Sequence, residues 1–177
     1  MGYPDVGGGH DSVAQPCRCT SREFVQMRRW SLDPRLGAIL QLTVDQGHWR
    51  TLQDGVDGGL TQTLPDPRTV WALVDTGAAI TCVRGDLAES LGLVHAGDVR
   101  IVNVGAHLDQ GARERWTSKR HMRLTIEGVG AFEVQAAEVS RFVDTGDVDI
   151  EVLLGRDILS QCVLKIDGPA GAFSLHR

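Results

Sequence analysis

The sequence predicts an all-β fold carrying one or two short helices, on three observations. Turn-forming residues are dense, with 21 Gly and 6 Pro in 177 residues, so the chain is punctuated too often for long helices. Between these breaks lie short runs rich in Val, Leu, Ile and Ala, several of which alternate apolar with polar residues, the period of a strand with one buried face. Helical spacing with its own stop signals is confined to two short stretches, near Asp86 and near Asp157. The length suits one domain with a substantial core and is too short for two lobes of ordinary size.

Taken in order, residues 1–35 begin Gly-rich, continue polar and hold one mixed segment, Phe24–Trp30, that suits a helical turn or two; they read as a flexible N-terminal arm. The folded domain is expected over 36–177. AILQLTV from Ala38 reads as a strand, and HWRTLQ from His48 and LTQTL from Leu60 as two more, with DQG and DGVDGG as turns, so 47–64 is expected to be a hairpin insertion. PDP at 65–67 breaks the chain before the apolar strand TVWALVD, which runs into the turn-like TGA. After ITCV, Asp86 is placed to cap a helix that Gly92 stops. DVRIVNV and RHMRLTIEG flank a polar stretch around AHLDQGARER as a long hairpin, and AFEVQAAEV is a return strand. EVLLG reads as a buried strand, RDILSQ as a short helix and CVLKIDGPAGAFSL as a hairpin turning at DGPAG.

A formal net charge of -5 with interleaved signs gives no electrostatic footprint for nucleic acid or an anionic membrane. No apolar run approaches the roughly 20 residues that span a bilayer, and Met1–Gly9 lacks the features of an export signal. Arg28-Arg29 is followed by Asp33, Pro34 and Arg35 rather than by an apolar stretch, so a twin-arginine signal is not expected. Cys17, Cys19, Cys82 and Cys162 do not form a disulfide framework, and a cytoplasmic protein with reduced thiols is the expectation. His10, Cys17 and Cys19 lack zinc spacing, so no metal is expected. Arg113, Arg115, Lys119, Arg120 and Arg123 read as a solvated hairpin, the remaining histidines show no triad-like setting, and Cys82 reads as core rather than nucleophile.

The segment that carries chemistry is Ala72–Val83, ALVDTGAAITCV, where a lone Asp ends an apolar strand and is followed at once by Thr, Gly and Ala. Asp75 stands on a loop, and Gly77 lets backbone approach closely. Asp-Thr-Gly is also ordinary turn chemistry and recurs at Asp144–Gly146, but there flanking Asp147 and Asp149 and the lack of a following apolar run indicate a solvated loop. One chain therefore offers one aspartate in the right setting.

ALVDTGAAITCV resembles the active-site loop of the aspartic proteases. EVLLGRDIL, about 80 residues on, resembles the second half of the retropepsin template, and the joint occurrence is far more specific than either motif. SLGL at 90–93 and LKIDGPAG at 164–171 place the likeness among small bacterial and domesticated retropepsin-like domains, over roughly Ala38–Leu175. The resemblance implies a closed acid-protease barrel acting as a homodimer. Asp75 would be catalytic, with Thr76, Gly77 and Ala78 supporting it, and Leu153, Leu154, Gly155 and Arg156 would form the strand and turn behind the loop. A flap over 99–125, with its tip at Val104, Gly105 and Ala106, would close on a peptide or protein substrate. Two departures stand out: Ala79 occupies the position where retroviral members carry an acidic partner for the Arg of the helix, which leaves Arg156 unpaired or rerouted to Asp157, and Asp109–Trp116 lengthens the flap region.

What the resemblance implies is an aspartic endopeptidase needing no metal or organic cofactor, its water activated by an Asp75 dyad at the dimer axis. Ala78 stands where two-lobed relatives carry a hydroxyl donor to the carboxylate, so activity reaching to about pH 5 to 6 is expected. The alternatives are a catalytically silent dimerisation or peptide-binding module on the same fold, and a β-barrel partner-binding domain in which both DTG copies are turns.

Overall fold

In the computed structural model of the protein, residues 28–48, 65–102, 114–142 and 148–177 are described. Within them ten strands and two helices follow in order: β1 (Arg29–Asp33), β2 (Gly37–Asp45), β3 (Arg68–Val74), β4 (Cys82–Arg84), α1 (Gly85–Ser90), β5 (His95–Val102), β6 (Glu114–Ile126), β7 (Gly130–Val139), β8 (Ile150–Leu154), α2 (Arg156–Leu159), β9 (Val163–Asp167) and β10 (Ala172–His176). Alternation builds the barrel. In β2, Ala38, Leu40, Leu42 and Val44 are buried while the residues between them are not, so a slip of one residue would turn the whole set out to water. Each fully buried Leu contributes about 1.5–3 kcal/mol by leaving water, which fixes the register strongly.

Strands β6, β7, β4, β8, β3 and β2 lie side by side in that order, and pairing of β2 with β6 closes them into a six-stranded barrel. Leu40 and Val44 of β2, Met122 and Leu124 of β6, and Leu87 and Leu91 from α1 and its end belong to one buried cluster. β8 is inserted between β3, to which it is parallel, and β4, to which it is antiparallel. Ile150, Glu151, Val152 and Leu154 are all buried, the near-continuous burial of a strand covered on both faces. Glu151 is satisfied there by Arg84 at 3.2 Å and Arg68 at 3.5 Å, and Arg84 also binds Asp86 and Asp149.

Three details differ from the sequence reading. Arg29–Asp33, inside the stretch read as an arm, is a strand that pairs with β10 and β2. Trp30 stacks on Phe173 at 5.4 Å between ring centroids, and Trp30 and Leu32 pack on the core, so a two-residue alternation too short to read alone is stabilised by tertiary burial. Asp86 is not the helix cap: Arg84 holds that position without a side-chain bond, and Asp86, two residues further on, accepts from Leu87 N at 2.8 Å and Arg84 Nε at 2.6 Å. The polar stretch before Arg120 is in part strand, since β6 starts at Glu114 and pairs with β5 along its upper half. Gly92 does end α1, at φ +58°, with its amide on the Glu89 carbonyl. The hairpin insertion beyond His48, the flap tip at Val104, Gly105 and Ala106, and the second DTG at Asp144–Gly146 lie outside the described residues.

Candidate active site

Strand β3 delivers Asp75. Its amide donates to the Leu154 carbonyl at 3.0 Å, prolonging the β3–β8 pairing by one residue, and the chain then turns. Asp75 Oδ1 accepts from Gly77 N at 2.8 Å, and Ala78 N donates to the Asp75 carbonyl at 3.2 Å, so both ends of Asp75 hold its own loop closed. A side chain at 77 would begin 3.1 Å from that carboxylate oxygen, a tight approach that the carboxylate would have to yield to. Asp75 and Ala78 are half-buried, while Thr76 and Gly77 are exposed at the loop's tip.

The turn after β8 closes the loop from behind. Arg156 N donates to the Ala78 carbonyl at 2.9 Å. At Gly155 a Cβ would sit 2.6 Å from the Ile80 carbonyl oxygen and 2.7 Å from Thr81 N, so only glycine lets the two backbones meet. Leu154 and Gly155 are buried, Leu153 is half-buried, and the Arg156 side chain is exposed. Among the described residues Arg156 forms no ion pair with Asp157, whose carboxylate instead accepts from Thr81, with N 3.0 Å from both its oxygens and Oγ1 donating at 2.7 Å. This contact escaped the sequence reading. Its only trace there was a Thr inside the apolar run after DTGA.

Burial pushes the Cys82 thiol up to about 11, with the Asp157 and Asp75 carboxylates adding to the effect. A thiol so raised stays protonated and is a poor nucleophile near neutrality. Among the described residues, no three His, Cys, Asp or Glu side chains are grouped so as to hold a metal ion.

The sequence profile described as "gag-polyprotein putative aspartyl protease" matches residues 66–161, more than half of the chain, from the strand before Asp75 to the end of α2. The chain belongs to this family, and its closed six-stranded barrel with two short helices is a retropepsin-like fold. Among solved structures it is similar to a retropepsin-like aspartic protease from Rickettsia conorii, at 15% identity over 85% of this chain and 90% of that one, with a TM-score of 0.46. No curated protein matches the sequence significantly. No helix among the described residues is long and apolar enough to cross a membrane.

Proposed function

We propose that the protein is an aspartic endopeptidase that works as a homodimer, with Asp75 of each chain supplying one of two catalytic carboxylates. The observation that carries this reading is the loop itself: a single Asp at a strand end, its carboxylate folded onto Gly77 N at 2.8 Å and its backbone bonded to the inserted strand. Such anchoring fixes a carboxylate at a half-exposed surface, where a second copy brings up its twin.

Two carboxylates about 3 Å apart do not both ionise cheaply, so the pair shares one proton, the behaviour for which aspartic proteases are the standard instance. The ionised Asp75 takes a proton from a bound water as it attacks the peptide carbonyl. The protonated Asp75 of the other chain hydrogen-bonds the carbonyl oxygen and then helps protonate the leaving nitrogen. Thr76, exposed beside the axis, bonds across to its counterpart, and Gly77 and Ala78 keep the loop tight. The hairpin of β5 and β6 closes over an extended peptide.

The test is cleavage of a peptide library read by mass spectrometry. Asp75→Asn is expected to lower turnover by about 10³-fold or more, while Asp144→Asn leaves it nearly unchanged. Equal loss in both variants would assign the wrong DTG, and full turnover in Asp75→Asn would remove the proposal.

A further inference from the structure

One contact behind the loop bears on how the loop is held. Asp157 Oδ1 is met by three donors, Thr81 N at 3.0 Å, Thr81 Oγ1 at 2.7 Å and Ile158 N at 3.0 Å, while Oδ2 shares only Thr81 N. Thr81 is fully buried, and its Oγ1 in turn accepts from Gly155 N at 3.1 Å. One carboxylate oxygen serves as acceptor for both polar groups of the buried Thr81. The segment 154–157 thus grips the loop at its start through Asp75 N on Leu154, at its middle through Arg156 N on Ala78, and at its end through Asp157 on Thr81. The first two grips are backbone bonds that most residues would make. The third depends on two side chains.

We propose that Asp157 is a positioning residue for the reaction: through Thr81 it fixes the far end of the Asp75 loop, and so the height and tilt at which Asp75 meets its twin. The inference rests on the reading of Asp75 as catalytic. Because the donors converge on one oxygen, a carbonyl in its place serves nearly as well as a carboxylate, whereas removing it frees the end of the loop and leaves the buried Thr81 hydroxyl and amide without their acceptor. Misplacement of a reacting group by about 1 Å costs up to about 100-fold in rate while leaving the peptide-binding surface in place.

The experiment measures kcat and KM separately for Asp157→Ala and Asp157→Asn. A core variant such as Ile126→Val, or Ile126→Ala if needed to match the fall in Tm, serves as the control, at a temperature where all are folded. Asp157→Ala is expected to lose about 10- to 100-fold in kcat with KM little changed, the matched Ile126 variant to keep its kcat, and Asp157→Asn to recover most of the loss. If Asp157→Ala fails to fold, Thr81→Val against Thr81→Ser makes the same comparison, since only Ser keeps the hydroxyl. A kcat for Asp157→Ala no lower than that of the control, or equal kcat values for Thr81→Val and Thr81→Ser, would overturn the inference and leave Asp75 untouched. Full turnover in Asp75→Asn run alongside would overturn both.

Discussion

Ala78 illustrates how much a single position in the loop controls. Its amide and its carbonyl are both engaged, on Asp75 and Arg156, so the backbone is fixed and only the methyl is free to vary. By the resemblance, Ser at this position would supply a hydroxyl donor to the carboxylate, and a bond donated to the charged form lowers a carboxyl's titration. Ala78→Ser should therefore shift the acid limb of the pH–rate profile to lower pH, measured as kcat/KM against pH on one peptide. A profile that stays in place or moves toward alkali contradicts this role. The residues at this scale were legible in unequal measure. Gly155 follows from motif and spacing because it answers a local steric demand. The Asp157–Thr81 contact joins residues 76 positions apart, and nothing near either one announces the other.

At the scale of elements, the strand β8 shows a conflict between burial and charge. Glu151 sits buried in it beside Arg84 and Arg68, yet loss of solvation outweighs both arginines and raises its carboxyl above the ordinary value of 4.5. The folded state then binds a proton more tightly than the unfolded state does. Stability from this group is fully present below about pH 4.5 and is lost as pH rises through the folded value. Urea midpoints measured from pH 4 upward should accordingly show a falling component in the wild type that Glu151→Gln removes, and identical slopes in the two proteins would contradict it. Strands such as β2, β3, β7 and the β9–β10 hairpin were readable because each carries its own alternation or turn. β1 was not, because Trp30 and Leu32 gain their strand only by packing on Phe173 and the core. The start of β6 was missed for the opposite reason: its polar residues read as loop, and cross-strand pairing with β5 overrides them.

At the scale of the molecule, the family and the closed barrel were both within reach of two motifs in the right order, since strand, loop, inserted strand and helix leave few other ways to pack. Among the described residues the chain presents one loop of this kind, and the proposed function therefore needs a site divided between two copies. Subunit mixing tests that most directly. Tagged, inactive Asp75→Asn chains are added to untagged wild type and left until the two co-purify, and cleavage is then measured at constant wild-type concentration. With a threefold excess of the variant, random pairing leaves activity at about one quarter of the starting value, because each wild-type chain then finds a wild-type partner about one time in four. Activity that stays at its starting value while mixed dimers are present would show that each chain carries a complete site, and would contradict the shared dyad.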